Sequence, residues 1–197
     1  MHCTDEAPPL STALLLSAYA QGLFPMADAT GTVAWYIADP RAIFPLETVR
    51  PNARFRRFLK HAGFHFTMDA AFAEVIGHCA TAHGDTWISP ALMEAYIQLH
   101  GDGHAHSVET WLDGRLVGGI YGVHLGGAFF GESMFSLVPN GSKAAFHRLA
   151  AHLRQQGFVL FDSQFINAHT ASLGAIEIPH QDYLARLQQA IALPRAF

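Results

Sequence analysis

Residues 107–136 read SVETWLDGRLVGGIYGVHLGGAFFGESMFS, and two turn signals cut the run into three segments. Asp113-Gly114 stands between stretches rich in Val, Leu, Ile and Tyr, and an Asp-Gly pair supplies the positive φ angles of a two-residue hairpin. Gly126-Gly127 marks a second turn. Three antiparallel strands are expected, Ser107–Leu112, Arg115–His124 and Ala128–Ser136. A polar loop leads into SKAAFHRLAAHLRQQ, a helix with Ser142 as its cap and Gly157 as its stop. Phe158–Phe161 is short and wholly apolar, the pattern of a buried strand, and it ends abruptly on Asp162-Ser163-Gln164.

A meander, a helix and one more strand beside it is the layout of N-acetyltransferase-type folds. The expected class is α+β: a small N-terminal α/β subdomain packed on an acetyltransferase-like (GNAT-type) mixed sheet with flanking helices. Ser11–Gln21 reads as the first helix, with Leu14, Leu15, Ala18 and Tyr19 at helical spacing and Gly22 at its end. The following stretch to Glu47 is too apolar for a solvated linker. The expected division is therefore 1–47 and 48–197. Phe64–Met68 reads as a strand and Asp69–Ala80 as a helix. Ser89-Pro90 reads as N-cap and first residue of the next.

With 197 residues, 50% of them hydrophobic, the chain can bury a substantial core. A formal net charge of −4 argues against a surface basic all over, but not against a local basic patch. Such a patch stands at residues 53–61, ARFRRFLKH. Arg54, Arg56, Arg57 and Lys60 are a third of the 12 Lys and Arg, with no Asp or Glu among them. Either this is a solvated helix face or it meets a polyanion such as nucleic acid. Cys3 and Cys79 suggest neither disulfide nor zinc site. Asp5 and Glu6 stand where a signal peptide needs positive charge, and no apolar run reaches the ~18 residues of a membrane helix, so the cytosol is expected. Thirteen histidines raise a metal reading, at His104 with His106 or His78 with Cys79 and His83. Neither set has a carboxylate or cysteine partner at zinc-site spacing, so no metal is expected. Gly131-Glu132-Ser133-Met134-Phe135 lacks the second Gly of a nucleophile elbow.

The chain also resembles a known family, the bacterial leucyl/phenylalanyl-tRNA–protein transferases. The resemblance runs from about Ala18 to Tyr183 through AYAQGLFP (18–25), DPRAIFP (39–45), GDTWISP (84–90), HAHSVETW (104–111), LVGGIYGV (116–123), FFGESMFS (129–136), FDSQ (161–164) and HTASLGAIEIP (169–179). It implies transfer of Leu or Phe, with Met also open, from aminoacyl-tRNA to the N-terminal Arg or Lys of a protein, marking it for degradation. No ATP, metal or other cofactor takes part, and the protein is expected to act as a monomer. The implied catalytic pair is Asp162 and Gln164, which period-2 strand geometry would put on one face with Ser163 turned away. The implied aminoacyl side-chain pocket is Trp87, Ile120, Phe129, Leu149 and Phe161. Glu132 and Met134 line the cleft, Met26 and Trp35 face the acceptor or adenosine side, and Arg56, Arg57 and Lys60 face tRNA. Met26 replaces the family's usual Trp, and Leu137 replaces an Arg, which weakens the tRNA contact.

The ester of an aminoacyl-tRNA is already activated, so the enzyme need only align an amine and stabilise an oxyanion. A Gln carbonyl is a weak base but a good acceptor for an amine N–H. Asp162 could orient that amide, or be only a strand-end carboxylate capping a turn. Two rivals stand beside this reading. One is an acyl-CoA-dependent N-acyltransferase, which needs a Gly-rich pyrophosphate cradle where this chain has only SLVPNGSK. The other is a non-catalytic tRNA- or peptide-binding relative.

Overall fold

The structure is a computed structural model and describes residues 10–82 and 86–197. In chain order its elements are α1 (Thr12–Ala20), β1 (Phe24–Ala27), β2 (Val33–Tyr36), β3 (Arg41–Ile43), α2 (Ala53–His61), β4 (His65–Met68), α3 (Phe72–Thr81), α4 (Pro90–Gly101), β5 (Ala105–Leu112), β6 (Arg115–Leu125), β7 (Ala128–Ser136), α5 (Gly141–Gln155), β8 (Leu160–Gln164), α6 (Ala168–Ser172), β9 (Ile176–Ile178) and α7 (His180–Ile191).

The meander forms as read. β5 pairs with β6 through Asp113-Gly114, whose φ angles of 50° and 74° fit the tight turn, and β6 pairs with β7 through Gly126-Gly127. The full sheet has seven strands in the order β4-β5-β6-β7-β8-β3-β9. Neighbours are antiparallel except β7 and β8, which run parallel. Alternation along the strands sends residues to two cores. Tyr121 and Phe130 join the apolar cluster that holds Leu15 of α1, Ile76 of α3, Leu92 of α4 and Leu187 of α7. Their neighbours Ile120 and Phe129 join the other, with Phe146, Leu149 and Leu153 of α5. The class is α+β, a seven-stranded mixed sheet with helices against it and a separate two-stranded sheet of β1 and β2.

Local details depart from the sequence reading. Ser142 is not the cap of α5; Asn140 is, in the left-handed conformation at φ 70°, and the Ser142 N–H instead donates to Ser136 Oγ at 3.0 Å. The strand expected at 158–161 starts at Leu160, because Phe158 closes the end of α5 by donating its N–H to Leu153 O behind Gly157 at φ 75°. α3 begins at Phe72, since Asp69 has turned left-handed at φ 57°. In the N-terminal stretch β1 and β2 form their own hairpin, whereas β3 is hydrogen-bonded between β8 and β9 inside the large sheet. β6 crosses α5 so closely that a Cβ on Gly118 would come within 2.4 Å of the Gly141 carbonyl carbon.

Candidate active site

β7 and β8 pair only where Ala128–Phe130 faces Leu160–Asp162. Past that point β7 stays with β6, β8 runs on to Gln164, and the strands part. A cavity of about 690 Å³ fills the gap. Its walls are largely apolar, with Met26, Trp87, Ile120, Met134 and Phe161 among them, and Glu132, Ser163 and Gln164 bring polar atoms to it. Glu132 reaches it through a bulge. Tyr121 of β6 faces Ser133 and Gly122 faces Gly131, so Glu132 is the extra residue of β7 and its side chain is re-aimed. Gly122 sits opposite the bulge, where a Cβ would lie 2.2 Å from Phe130 O.

Asp162 does not line the cavity. It is fully buried, and donors fill its carboxylate. Arg41 donates from Nε to Oδ1 at 2.9 Å and from Nη2 to Oδ2 at 2.6 Å. Tyr183 donates its hydroxyl to Oδ2 at 2.8 Å, and the backbone N–H of Gln164 donates to Oδ1 at 2.9 Å. Arg41, also fully buried, lies between the rings of Phe24 and Tyr183, 4.7 and 4.4 Å from their centroids, and donates to Gly22 O at 2.9 Å. Asp162 thus binds the N-terminal stretch, the sheet and α7 together. It holds Gln164 by the backbone in a left-handed conformation, φ 54°, which a residue with a Cβ adopts at a cost. This twist undoes the expected alternation: Ser163 joins Gln164 at the cavity while Asp162 stays behind it.

Among the described residues, Glu132 is the carboxylate that the cavity sees. Tyr19 donates to its Oε1 at 2.8 Å, Tyr96 to its Oε2 at 3.0 Å, and the two hydroxyls are 2.7 Å apart. Gln164 Nε2 donates to Oε1 at 3.3 Å. Removal from water raises the Glu132 carboxyl from 4.5 to about 7, with Asp162 pushing the same way and the tyrosine hydrogen bonds opposing. A carboxyl poised near neutrality beside a Gln amide, facing an apolar cavity, suits a reaction in which a cationic amine arrives, gives up a proton and attacks an activated carbonyl.

Two models of one family match the chain. The leucyl/phenylalanyl-tRNA protein transferase model covers residues 43–188, and the model of that family's N-terminal domain covers residues 9–39. The chain belongs to this family. A leucyl/phenylalanyl-tRNA–protein transferase of Gloeobacter violaceus is 48% identical over 189 residues, which is 95% of this chain and 97% of that protein. Those of Chlorobaculum parvum and Rhizorhabdus wittichii are 48% identical over 182 residues and 50% identical over 185, covering 90% and 91% of this chain and 94% and 75% of their own.

Against that family's pattern, the structure brings together Trp87, Ile120, Phe161, Met26, Glu132, Met134 and Gln164 at one cavity. Phe129 and Leu149 are not on its walls; both are buried one layer behind, in the core beneath Phe161. Trp35 is paired with Pro25 on the hairpin and packs on the other core rather than facing the cavity. Arg56 and Arg57 are exposed on α2, as is Lys60, while Phe55 of the same helix is buried. Four residues the motifs did not single out complete the site: Arg41 and Tyr183 behind Asp162, Tyr19 and Tyr96 behind Glu132. The one available signal was Arg41, a cation in the apolar run DPRAIFP. Among the described residues no group of three His, Cys, Asp or Glu could hold a metal ion, and His83 lies outside them. No described helix is long and apolar enough to cross a membrane.

Proposed function

We propose that the chain transfers Leu or Phe from aminoacyl-tRNA to the N-terminal amine of a protein beginning with Arg or Lys, acting as a monomer in the cytosol. The observation that carries this reading is the pairing of an apolar cavity with Glu132 and Gln164 at its wall. The apolar side fits a Leu or Phe side chain, Met26 and Trp87 included. Among the described residues Glu132 is the one carboxylate lining it, the complement of a cationic acceptor. In mechanism, the cavity holds the aminoacyl ester, Glu132 attracts the acceptor's ammonium and takes its proton, and the Gln164 amide aligns the freed amine on the ester carbonyl. The amide bond forms between the acceptor nitrogen and the aminoacyl carbonyl carbon as the ester carbon–oxygen bond breaks, and the tRNA ribose oxygen leaves with the second proton that the nitrogen sheds. Asp162 is a positioning residue: it fixes the backbone from which Gln164 reaches. An acyl-CoA reading fits less well. The start of α5 is closed by Gly118 packed on Gly141, and the Ser142 N–H is already taken by Ser136.

The test uses purified protein, charged Leu-tRNA and peptides that differ only in their first residue. Mass gain of one Leu on the Arg or Lys peptide is expected; acylation from acetyl-CoA, with none from charged tRNA, would refute the reading.

The α2 patch gives a second expected outcome. Changing Arg56, Arg57 and Lys60 together to Ala should weaken tRNA binding and lower its salt slope by roughly 2 to 3, about 0.9 for each phosphate no longer neutralised, with peptide affinity unchanged. Unaltered tRNA affinity at low salt would make α2 only a solvated face.

A further inference from the structure

Beside α2 lies a pair of guanidinium groups that no carboxylate among the described residues neutralises. Arg50 Nη1 donates to Leu46 O at 2.8 Å and Val49 O at 2.9 Å. Arg154 Nη1, from the last turn of α5, donates to the same Val49 O at 3.0 Å. Two cations thus converge on one carbonyl oxygen. Among the described residues the ion pairs are those of Arg41, His100 and His106, so neither Arg50 nor Arg154 has a carboxylate within 4.0 Å. Like charges so placed repel; partial burial and the Arg50 charge both lower the Arg154 pKa. Backbone carbonyls hold the pair in place, which leaves other guanidinium N–H groups to face outward. Two fixed forks side by side match the oxygens of a phosphodiester better than any single cation.

The pair is not isolated. α2 docks on α5, with Phe55 5.3 Å from the His147 ring and under Lys143 Nζ at 4.9 Å. Lys143, His147 and Arg154 recur at intervals of four and seven, on one face of α5, over about 16 Å of its axis. Neither α2 nor α5 contains an Asp or Glu, yet they carry seven of the 12 Lys and Arg of a chain whose net charge is −4. At the other end of this stripe, Lys143 borders an open depression that shares Ser136, Ser142 and His169 with the cavity. Lys143 near the reaction site and the Arg50–Arg154 pair thus stand at the two ends of the α5 face on which α2 docks, with buried His147 between them.

We propose that Arg50 and Arg154 form a phosphate clamp that grips the tRNA backbone beyond its 3′ end, extending the α2 surface along α5. The clamp rests on the aminoacyl-tRNA reading and adds to it a second contact region. Its role is to hold the body of the tRNA, so a donor too short to reach it gains nothing from it.

The experiment compares full-length deacylated leucine tRNA, titrated between low and physiological salt, with a leucylated CCA trinucleotide used as donor. Arg50→Gln with Arg154→Gln should weaken tRNA binding about three- to tenfold at low salt and reduce the salt slope by roughly one to two. Transfer from the trinucleotide should be unchanged. Arg50→Lys with Arg154→Lys keeps the charge and should retain most of the slope, while losing the forked geometry. An unchanged slope in the Gln pair would overturn the clamp. So would an equal loss in the Lys pair, or a parallel loss of trinucleotide transfer, since either puts the effect in the fold. Failure of the unaltered protein to bind tRNA at all is a different outcome, and it would overturn the functional reading beneath.

Discussion

Replacing Asp162 with Asn should lower the melting temperature by roughly 6–20 °C, because breaking a buried ion pair from one side costs about 3–5 kcal/mol and each kcal/mol shifts a domain of this size by about 2–4 °C. The cost arises from what remains. Arg41 and Asp162 are both 0% exposed, and Arg41 keeps its charge when its partner loses one. The amide makes matters worse. Both carboxylate oxygens accept from Arg41, Oδ1 also from the Gln164 N–H and Oδ2 also from Tyr183. Whichever position the Asn NH₂ takes, it points a donor at an Arg41 N–H that cannot turn to accept, and at the Oδ1 position at the Gln164 N–H as well. A strand-end carboxylate that merely capped a turn would lose only about 1 kcal/mol. Replacing both partners together, Arg41→Met with Asp162→Leu, should cost less than Asp162→Asn alone, since no buried charge is stranded. Thermal melting of the two variants decides the point; Asp162→Asn melting within about two degrees of the unaltered protein would sink the account. Transfer should fall with stability, because Gln164 loses the hydrogen bond that holds its backbone left-handed.

Why the sequence exposed some of this architecture and hid the rest follows from the range of the interactions. The meander was legible because Asp113-Gly114 and Gly126-Gly127 fix their turns locally, and alternation between them fixes the faces. β3 was not legible: Arg41-Ala42-Ile43 is three residues long and owes its place to partners around residues 162–164 and 176–178. The tyrosines behind the site look like ordinary apolar positions on amphipathic helices. Their hydroxyls find Glu132 across 113 and 36 residues, which no local pattern records. Period-2 counting placed Asp162 and Gln164 on one face, and the left-handed turn at Gln164 broke that count. Phe129 and Leu149 could not be told from pocket walls, since a core and a side-chain pocket ask for the same residue types. Glu132 was legible as a residue of the cleft but not as its titrating group. That property comes from the bulge and from burial among tyrosines.

The pH dependence of transfer tests that property directly. With its carboxyl at about 7, Glu132 is protonated below that pH and offers an arriving ammonium no charge. Above it the anion attracts the acceptor and can take its proton, so kcat/KM of the free enzyme should rise through about pH 7. The acceptor arrives as its ammonium, with a reference value near 7.7–8.0, so kcat/KM should level off and fall above that range. Glu132→Gln keeps two hydrogen-bonding ends for Tyr19, Tyr96 and Gln164 and removes only the titration. It should cut kcat/KM near neutrality about 10²–10⁴-fold and abolish the inflection near 7, leaving a single rise set by the free amine, which must then attack without a base. Stability supplies the independent readout. Burial raises the carboxyl, so the folded protein keeps a proton that the unfolded chain has released. Stability present below the ordinary value of 4.5 is therefore lost progressively as pH rises toward about 7, and is level beyond it. Glu132→Gln should remove that slope and leave the variant the more stable protein above pH 7. Gln at this position with an unchanged rate profile would assign the proton to water or to the tRNA ribose. An unchanged slope of melting temperature against pH would show that Glu132 is ionised throughout, with its carboxyl near the ordinary value.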